Sequence, residues 1–418
     1  MTESRPMLIL WTQNSISFKS QHVHIPYHFV HNLEIYDYVE KKNPNLEVDN
    51  IDLERSNFDF NAFINRLSAR NYAGVALFVS NDNLINSIRL IRIIKEVCEG
   101  ARTLIYGDLA VLLPDFFCRA DYDCFDYIVD RQCDQEIAIS DFFNYCAGSG
   151  EERAMRGVLK VGSGGLTKLA PGGLVEPGDW GYPSSALFEQ SERIVLTVSR
   201  GCPYACEFCN AVLYYGTSER RRPVDSILSY IGQHDDKEYK FFAPNFTLNK
   251  AWVREFCTAL LDRHLHIRWS CTTRADLLRD DEILELMSRS GCKRIAVGVE
   301  SIIDSDLDAI DKKTDSDTIV QSIRRVKARG MQYKALVMLG IPSQTKENIR
   351  ITLEALYRLG VQVRATAYTP FYEMNAQLTP EQIERYDKRT YYTGIDGLSY
   401  GNFIKLICDT QNYPIYLR

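Results

Sequence analysis

The sequence predicts an α/β protein in two parts, an N-terminal Rossmann-like domain over residues 1–148 and a partial (β/α)6 barrel over residues 191–372. Three observations predict it. Short apolar runs alternate with amphipathic stretches in both parts, the rhythm of parallel strands covered by helices. Glycine and proline crowd into residues 149–190 between them, which reads as an extended linker with little regular structure. The alternation then resumes with a longer period and repeats six times, as a barrel or part of one requires.

In the first part, strands are expected at residues 7–11, 46–52, 74–80, 103–106 and 127–129. The helix before the fourth strand, residues 84–98, carries Ile85, Ile88, Ile91 and Ile94 on one face. In the second part, strands at 193–198, 239–242, 267–270, 294–299, 333–339 and 363–368 alternate with helices such as 224–233, 252–264, 281–290 and 317–329. That order places chemistry at the carboxyl ends of the strands. From Glu373 the rhythm stops, and residues 373–418 form a short extension rich in tyrosine.

Composition narrows the function. With 49 basic against 55 acidic side chains the net charge is -6, which argues against a nucleic-acid binder that neutralises phosphates. No apolar run reaches the eighteen or so residues of a membrane span, and residues 7–11 lack the flanks of a signal peptide. A cytoplasmic protein is expected. In a reducing compartment its twelve cysteines read as metal ligands, reactive thiols or small core residues, and not as a disulfide framework.

The strongest motif is Ser199-Arg200-Gly201-Cys202-Pro203-Tyr204-Ala205-Cys206-Glu207-Phe208-Cys209, just after the first barrel strand. Cys202, Cys206 and Cys209 can wrap one soft metal centre, and thiolates select zinc or iron-sulfur. Structural zinc calls for a fourth ligand, usually from a matched pair. Cys118, Cys124, Cys133 and Cys146 show no such spacing. Three ligands on a cubane leave one iron open for a substrate or cosubstrate.

These residues resemble the radical S-adenosylmethionine enzymes, whose three-cysteine loop has an aromatic residue before the last cysteine, the place of Phe208. The resemblance runs through residues 191–372 and is closest to the branch with a cobalamin-binding domain ahead of the barrel. Its further stretches are residues 269–278, Gly298-Val299-Glu300-Ser301, residues 339–345 and Tyr368-Thr369-Pro370. It implies a 4Fe-4S cluster that binds S-adenosylmethionine, splits it reductively and yields a 5'-deoxyadenosyl radical that removes a substrate hydrogen. An electron donor such as flavodoxin or ferredoxin is implied as a partner. Arg274 and Glu300 are expected to meet the carboxylate and the amino or ribose groups of S-adenosylmethionine, with Ser301 beside them. Gly340 is expected to let backbone approach the adenine. Where the family commonly shows acidic residues after the second strand, this chain has Asn245, whose carbonyl is the remaining contact.

The first part resembles a cobalamin-binding domain but departs from it at three places. No Asp-x-His-x-x-Gly motif is present. The paired glycine reads Gly107-Asp108, and the Ser-x-Leu after the third strand reads Ser80-Asn81-Asp82. Cobalamin therefore stays open as a cofactor, against a degenerate fold kept as scaffold or docking surface. His22, His24, His28 and His31 lack ligand spacing, and Arg220-Arg221-Arg222-Pro223 reads as a solvated turn or a face for an acidic partner.

Cys408, the only cysteine after Cys292, suggests a hydrogen donor, and Cys271 at a strand end is a second candidate. On that lone late cysteine the C-terminal region resembles the proteusin-type peptidyl epimerases of ribosomal peptide natural products. The expected reaction is then L-to-D epimerisation of a peptide precursor with leader and core. Cobalamin-dependent radical methylation is the alternative, and a non-catalytic metal-binding partner protein the third reading.

Overall fold

The computed structural model describes residues 5–417 except 13–15, 19–26, 54–58, 184–192 and 412–414 and the single positions 123, 132, 205, 207 and 210. The N-terminal domain runs β1 (Met7–Trp11), β2 (Ile16–Phe18), α1 (Tyr27–Lys42), β3 (Val48–Asp52), α2 (Phe60–Arg70), β4 (Gly74–Phe78), α3 (Leu84–Val97), β5 (Arg102–Tyr106), α4 (Asp108–Leu112), β6 (Tyr127–Val129) and α5 (Gln135–Cys146). Both faces of its sheet are buried, which explains why β1 and β4 are apolar throughout. The order β3-β1-β4-β5-β6 is parallel. The order in which strands are added reverses between β1 and β4, the place where doubly wound sheets open a crevice.

The stretch expected to be a plain linker extends this sheet. β7 (Val158–Gly162) pairs antiparallel with β6, and β8 (Gly165–Lys168) pairs with β7. The glycines at 162, 164 and 165 make the hairpin turn between them. Val158 is buried, so one face of the ribbon packs while lysines line the rest.

The barrel runs β9 (Arg193–Thr197), β10 (Ser199–Arg200), α6 (Ala211–Tyr215), β11 (Arg220–Arg221), α7 (Val224–Gly232), β12 (Glu238–Phe242), α8 (Lys250–Asp262), β13 (Arg268–Arg274), α9 (Asp281–Arg289), β14 (Cys292–Glu300), α10 (Asp304–Ala309), α11 (Ser316–Ala328), β15 (Gln332–Leu339), α12 (Lys346–Arg358) and β16 (Gln362–Ala367). Its six parallel strands lie in the order β9-β12-β13-β14-β15-β16. β13 and β14 outrun the apolar runs that announced them, because their polar last residues face the lumen.

The C-terminal extension is more ordered than a tyrosine-rich tail suggests. α13 (Pro380–Glu384) packs on α3, α14 (Tyr400–Gln411) packs on β16, and β17 (Ile415–Leu417) pairs with β2. β16 is one of the barrel's two edge strands. The Ala365 N–H donates to Thr410 Oγ1 at 2.9 Å and the Ala367 N–H to the Lys388 carbonyl at 2.6 Å, so the extension satisfies edge groups that would otherwise invite pairing.

Candidate active site

The cysteine loop begins where β10 ends. Gly201 (φ 84°) backs onto the Ser218 carbonyl so closely that a Cβ would lie 2.0 Å from it, so only glycine lets the loop turn here. The Cys202 N–H donates to the Gly216 carbonyl and the Cys209 N–H to that of Cys206, which folds the triplet into one turn. Asn245, placed after β12, donates its amide to Cys202 Sγ at 3.3 Å. Arg274, the last residue of β13, points Nη1 at Cys206 Sγ (3.9 Å), gives Nη2 to the Lys312 carbonyl (2.8 Å), pairs Nε with Asp276 (2.9 Å) and lies over the Tyr204 ring at 4.1 Å. Phe208 is buried among Ile310, Ile341 and Tyr368, with Cys206, Cys209 and Met338 packed against the group.

Glu300 closes β14 with φ 62°, a left-handed conformation that costs a glutamate about 1 kcal/mol or more and persists where its surroundings hold it. Its holder is Lys312, whose Nζ reaches Oε1 at 2.7 Å, both side chains buried, and whose ammonium lies 5.5 Å from the centre of the Phe208 ring. Burial pushes the Cys202 and Cys206 thiols up, Arg274 pulls both down, and Lys312 pulls Cys206 down as well.

Thus the structure gathers Cys202, Cys206, Cys209, Phe208, Asn245, Arg274 and Glu300 at the carboxyl ends of the strands. Two roles differ from expectation. Asn245 turns its amide to a ligand sulfur. Ser301 turns away: its hydroxyl donates to Asp306 Oδ2 at 2.8 Å and lies 3.1 Å from Thr352 Oγ1, so it fixes the loop after β14. Gly340 ends β15 with φ 86°, and its N–H donates to Gln344. Lys312 and Tyr204 were missed. Lys312 stands in Asp311-Lys312-Lys313, which in sequence looks like any solvated charge run.

Of the two candidate hydrogen donors, Cys271 does not join this group. Cys271 lies on the helix-facing side of β13 with Trp269, beside Cys257 and Cys292, and burial there pushes its thiol far up. Strand alternation sends Ser270, Thr272 and Arg274 to the lumen instead. Cys408 is half-buried on α14, whose Phe403 and Ile407 enter the barrel core and whose Thr410 caps the edge of β16. It thus lies on the helix that packs along β16, the barrel's edge strand.

The donor set fits an iron-sulfur cluster. Three thiols share one loop, and two of the sulfurs take N–H groups from Asn245 and Arg274, the kind of hydrogen bond that tunes ligated thiolates. Among the described residues no three His, Cys, Asp or Glu side chains converge on a single ion.

Cobalamin fares differently. At the crevice between β1 and β4, Trp11 stacks on Phe78 with centroids 4.0 Å apart, and Tyr106 meets Phe78 edge-on and donates to Asn32. A Cβ on Gly107 would lie 2.7 Å from the Phe78 ring and from the Val79 carbonyl. That glycine admits the chain's own atoms. On the far side, the Glu384 carboxylate takes the Ile85 N–H at 2.9 Å, and Arg389 pairs with Asp82 at 2.8 Å. These rings belong to the core that α1 and α5 cover, and the C-terminal extension docks at the start of α3, on the crevice's rim.

The basic run also faces inward. Arg220 grips Asp134 through two bonds of 2.7 and 2.8 Å, and Arg222 donates to the carbonyls of Thr197, Trp180 and Gly181. Arg200, fully buried, pairs with Glu136 at 2.5 Å and lies over Trp180. The acidic partner of these arginines is the N-terminal domain of the same chain. Of the histidine cluster, His22 and His24 fall outside the described residues, and His31 lies between Gln135 and Tyr215, 3.3 Å from each.

A parallel partial barrel with a cysteine triplet at its carboxyl face defines a class, and comparison with known proteins names it. Residues 196–356 match the Radical SAM superfamily, so the barrel is a radical SAM domain, with a 4Fe-4S cluster and S-adenosylmethionine as its implied cofactors. The chain is similar to the anaerobic magnesium-protoporphyrin IX monomethyl ester cyclase of Rubrivivax gelatinosus, 25% identical over 297 residues, 66% of this chain and 50% of that protein. It thus spans half the length of that relative. Its fold is that of the radical S-adenosylmethionine methyltransferase TsrM from Kitasatospora setae, at a TM-score of 0.69 and 16% identity over 88% of this chain and 73% of that one. The cobalamin-dependent S-adenosylmethionine radical enzyme OxsB gives a TM-score of 0.65 and 16% identity over 98% of this chain and 62% of that one. No helix among the described residues is long and apolar enough to cross a membrane.

Proposed function

We propose that this protein is a radical enzyme that takes a hydrogen atom from an unactivated carbon and makes a carbon bond there, by methylation or ring closure. The observation that carries it is the convergence of the cysteine triplet with Arg274 and the buried Glu300–Lys312 pair at the carboxyl ends of the strands. Cys202, Cys206 and Cys209 would hold the cluster. Bound there with S-adenosylmethionine, the cluster supplies the electron that makes the hydrogen-abstracting radical. The chain's own groups do the rest. Arg274 and Lys312 present positive charge beside the sulfurs, and Glu300, paired with Lys312, offers an acceptor for an ammonium or hydroxyl group. Phe208, Ile310, Ile341 and Tyr368 keep water away.

The relatives above are named for ring closure and methyl transfer, which favours this reading over the peptide epimerisation expected from Cys408. A second reading, cobalamin-dependent methyl transfer, draws on the likeness to TsrM and OxsB across both domains; the missing Asp-x-His-x-x-Gly motif and Gly107-Asp108 oppose it. The test is anaerobic reconstitution with iron, sulfide and reductant. Wild type is expected to release 5'-deoxyadenosine from S-adenosylmethionine and Cys206→Ala to release none. Failure of the wild type to cleave, with its cluster verified by absorbance, would overturn the radical reading. S-adenosylhomocysteine produced only when hydroxocobalamin is supplied would establish the second reading; its absence would remove it.

A further inference from the structure

The barrel lumen holds cations that the chemistry above does not use. Strand alternation puts Lys240 of β12, Arg294 of β14, Lys334 of β15 and Arg364 of β16 on the inner face, because their neighbours Phe241, Ile295, Ala335 and Ala365 pack in the helix-covered core. The register joins them into a band: Lys240 lies opposite Ser270, Ser270 opposite Arg294, and Lys334 and Arg364 follow on the next strands. All four are partly buried. Among the described residues none of them has an ion pair or a side-chain hydrogen bond, and Arg364 Nε is buried with no partner. Glu238, the nearby acid, is taken by Arg193 at 2.9 Å. Burial and the surrounding arginines pull Lys334 down to about 7 and Lys240 to about 8, and burial with Arg193 pulls Arg294 down.

Like charges gathered in a low-dielectric lumen without counterions work against folding. Such an arrangement is retained where an anion completes it, because a ligand that binds only the folded state returns the cost. We propose that the lumen is an anion-binding site, seating the phosphate or multiply carboxylated end of an elongated substrate whose reacting carbon lies at the carboxyl ends of the strands. The proposal rests on the radical reading of the barrel and adds the substrate class to it. Arg294 and Glu300 share a face of β14 six residues apart, about 20 Å along an extended strand, and Lys334 stands four residues before Met338, about 13 Å. Leu336 and Met338 line the way between, and the Glu300 carboxylate and Lys312 ammonium sit over Gly298 at its far end, so the middle of the substrate is apolar.

The test is thermal unfolding of the cluster-loaded full chain with pyrophosphate, with tricarballylate and with chloride at matched ionic strength. Either polyanion is expected to raise Tm by about 3 °C or more over chloride when saturating, and the stronger of the two identifies phosphate or carboxylate as the preferred group. The rise should vanish in Arg294→Gln/Arg364→Gln and persist in Arg325→Gln, a surface control. Lys334→Met should melt higher than wild type without anion and respond less to it, so the proposal is tested even where the double variant fails to fold. Equal Tm in polyanion and chloride, or an undiminished rise in the variants, would overturn it. The readout needs no S-adenosylmethionine cleavage. An intact anion response in a chain that makes no 5'-deoxyadenosine removes the radical reading alone, and the reverse pattern removes the lumen site alone.

Discussion

Lys312 shows how much one side chain can decide. It holds the Glu300 carboxylate in the interior, in a backbone conformation glutamate rarely adopts. Lys312→Met leaves that carboxylate buried without its cation, and breaking such a pair costs about 3–5 kcal/mol. Urea unfolding of the barrel is expected to register a loss of that order. Lys312→Met/Glu300→Leu should recover part of it, since two apolar groups replace a broken pair; no recovery would mean that Lys312 stabilises the site through contacts other than Glu300. In sequence Glu300 was legible from its place after a strand. Lys312 was not, because its partner is twelve residues away across α10 and nothing local marks the ammonium as buried.

At the scale of a strand, alternation sorts function from packing. On β13 the same seven residues give Cys271 to the core and Arg274 to the site, and a cysteine at a strand end cannot be assigned to a face until the register is known. On β15 the inward position is Lys334, whose titration has a direct consequence. The unfolded chain keeps this proton up to the ordinary lysine value of 10.5, while the folded barrel releases it at about 7. Between those values the unfolded state binds more protons, so stability rises with pH. The slope from this residue approaches about 1.4 kcal/mol per pH unit. Denaturant titrations from pH 7 to 10 should show a steeper rise in wild type than in Lys334→Met, and parallel curves would show that the lysine keeps its ordinary value in the fold.

At the scale of the whole chain, the two domains are joined by buried charge. Arg200 and Arg222 come from the barrel side, Glu34 and Glu136 from helices α1 and α5, and Trp180 lies across both arginines. Burial lifts Glu34 to about 7, against the pull of Arg222 and Arg200, while Arg200 holds Glu136 below the usual carboxylate range in spite of its burial. Glu136→Ala leaves Arg200 without its closest partner in a site where water does not reach. A loss of about 3 kcal/mol or more is expected, together with faster hydrogen exchange in α1 and α5 than in wild type. Exchange unchanged in those helices would show that the aromatic contacts alone hold the domains together. The C-terminal extension ties the same parts from the other side, through Arg389 to Asp82 and Thr410 to Ala365.

What the sequence by itself determined is the local chemistry. The cysteine triplet, the phenylalanine inside it, the strand and helix alternation and the charges at strand ends are all written over a few adjacent residues, where spacing alone implies a shared loop or face. Only the tertiary structure decided which long-range partners those residues meet. It turned Arg220-Arg221-Arg222 inward to the chain's own acids, made sheet of the supposed linker, sent Cys271 to the core and Cys408 to the barrel's edge, and gathered Lys240, Arg294, Lys334 and Arg364 from four strands into one lumen. The physical reason is the same in each case. Burial and electrostatic partnership depend on groups tens of residues apart, and no local pattern reports them until the strands are in register.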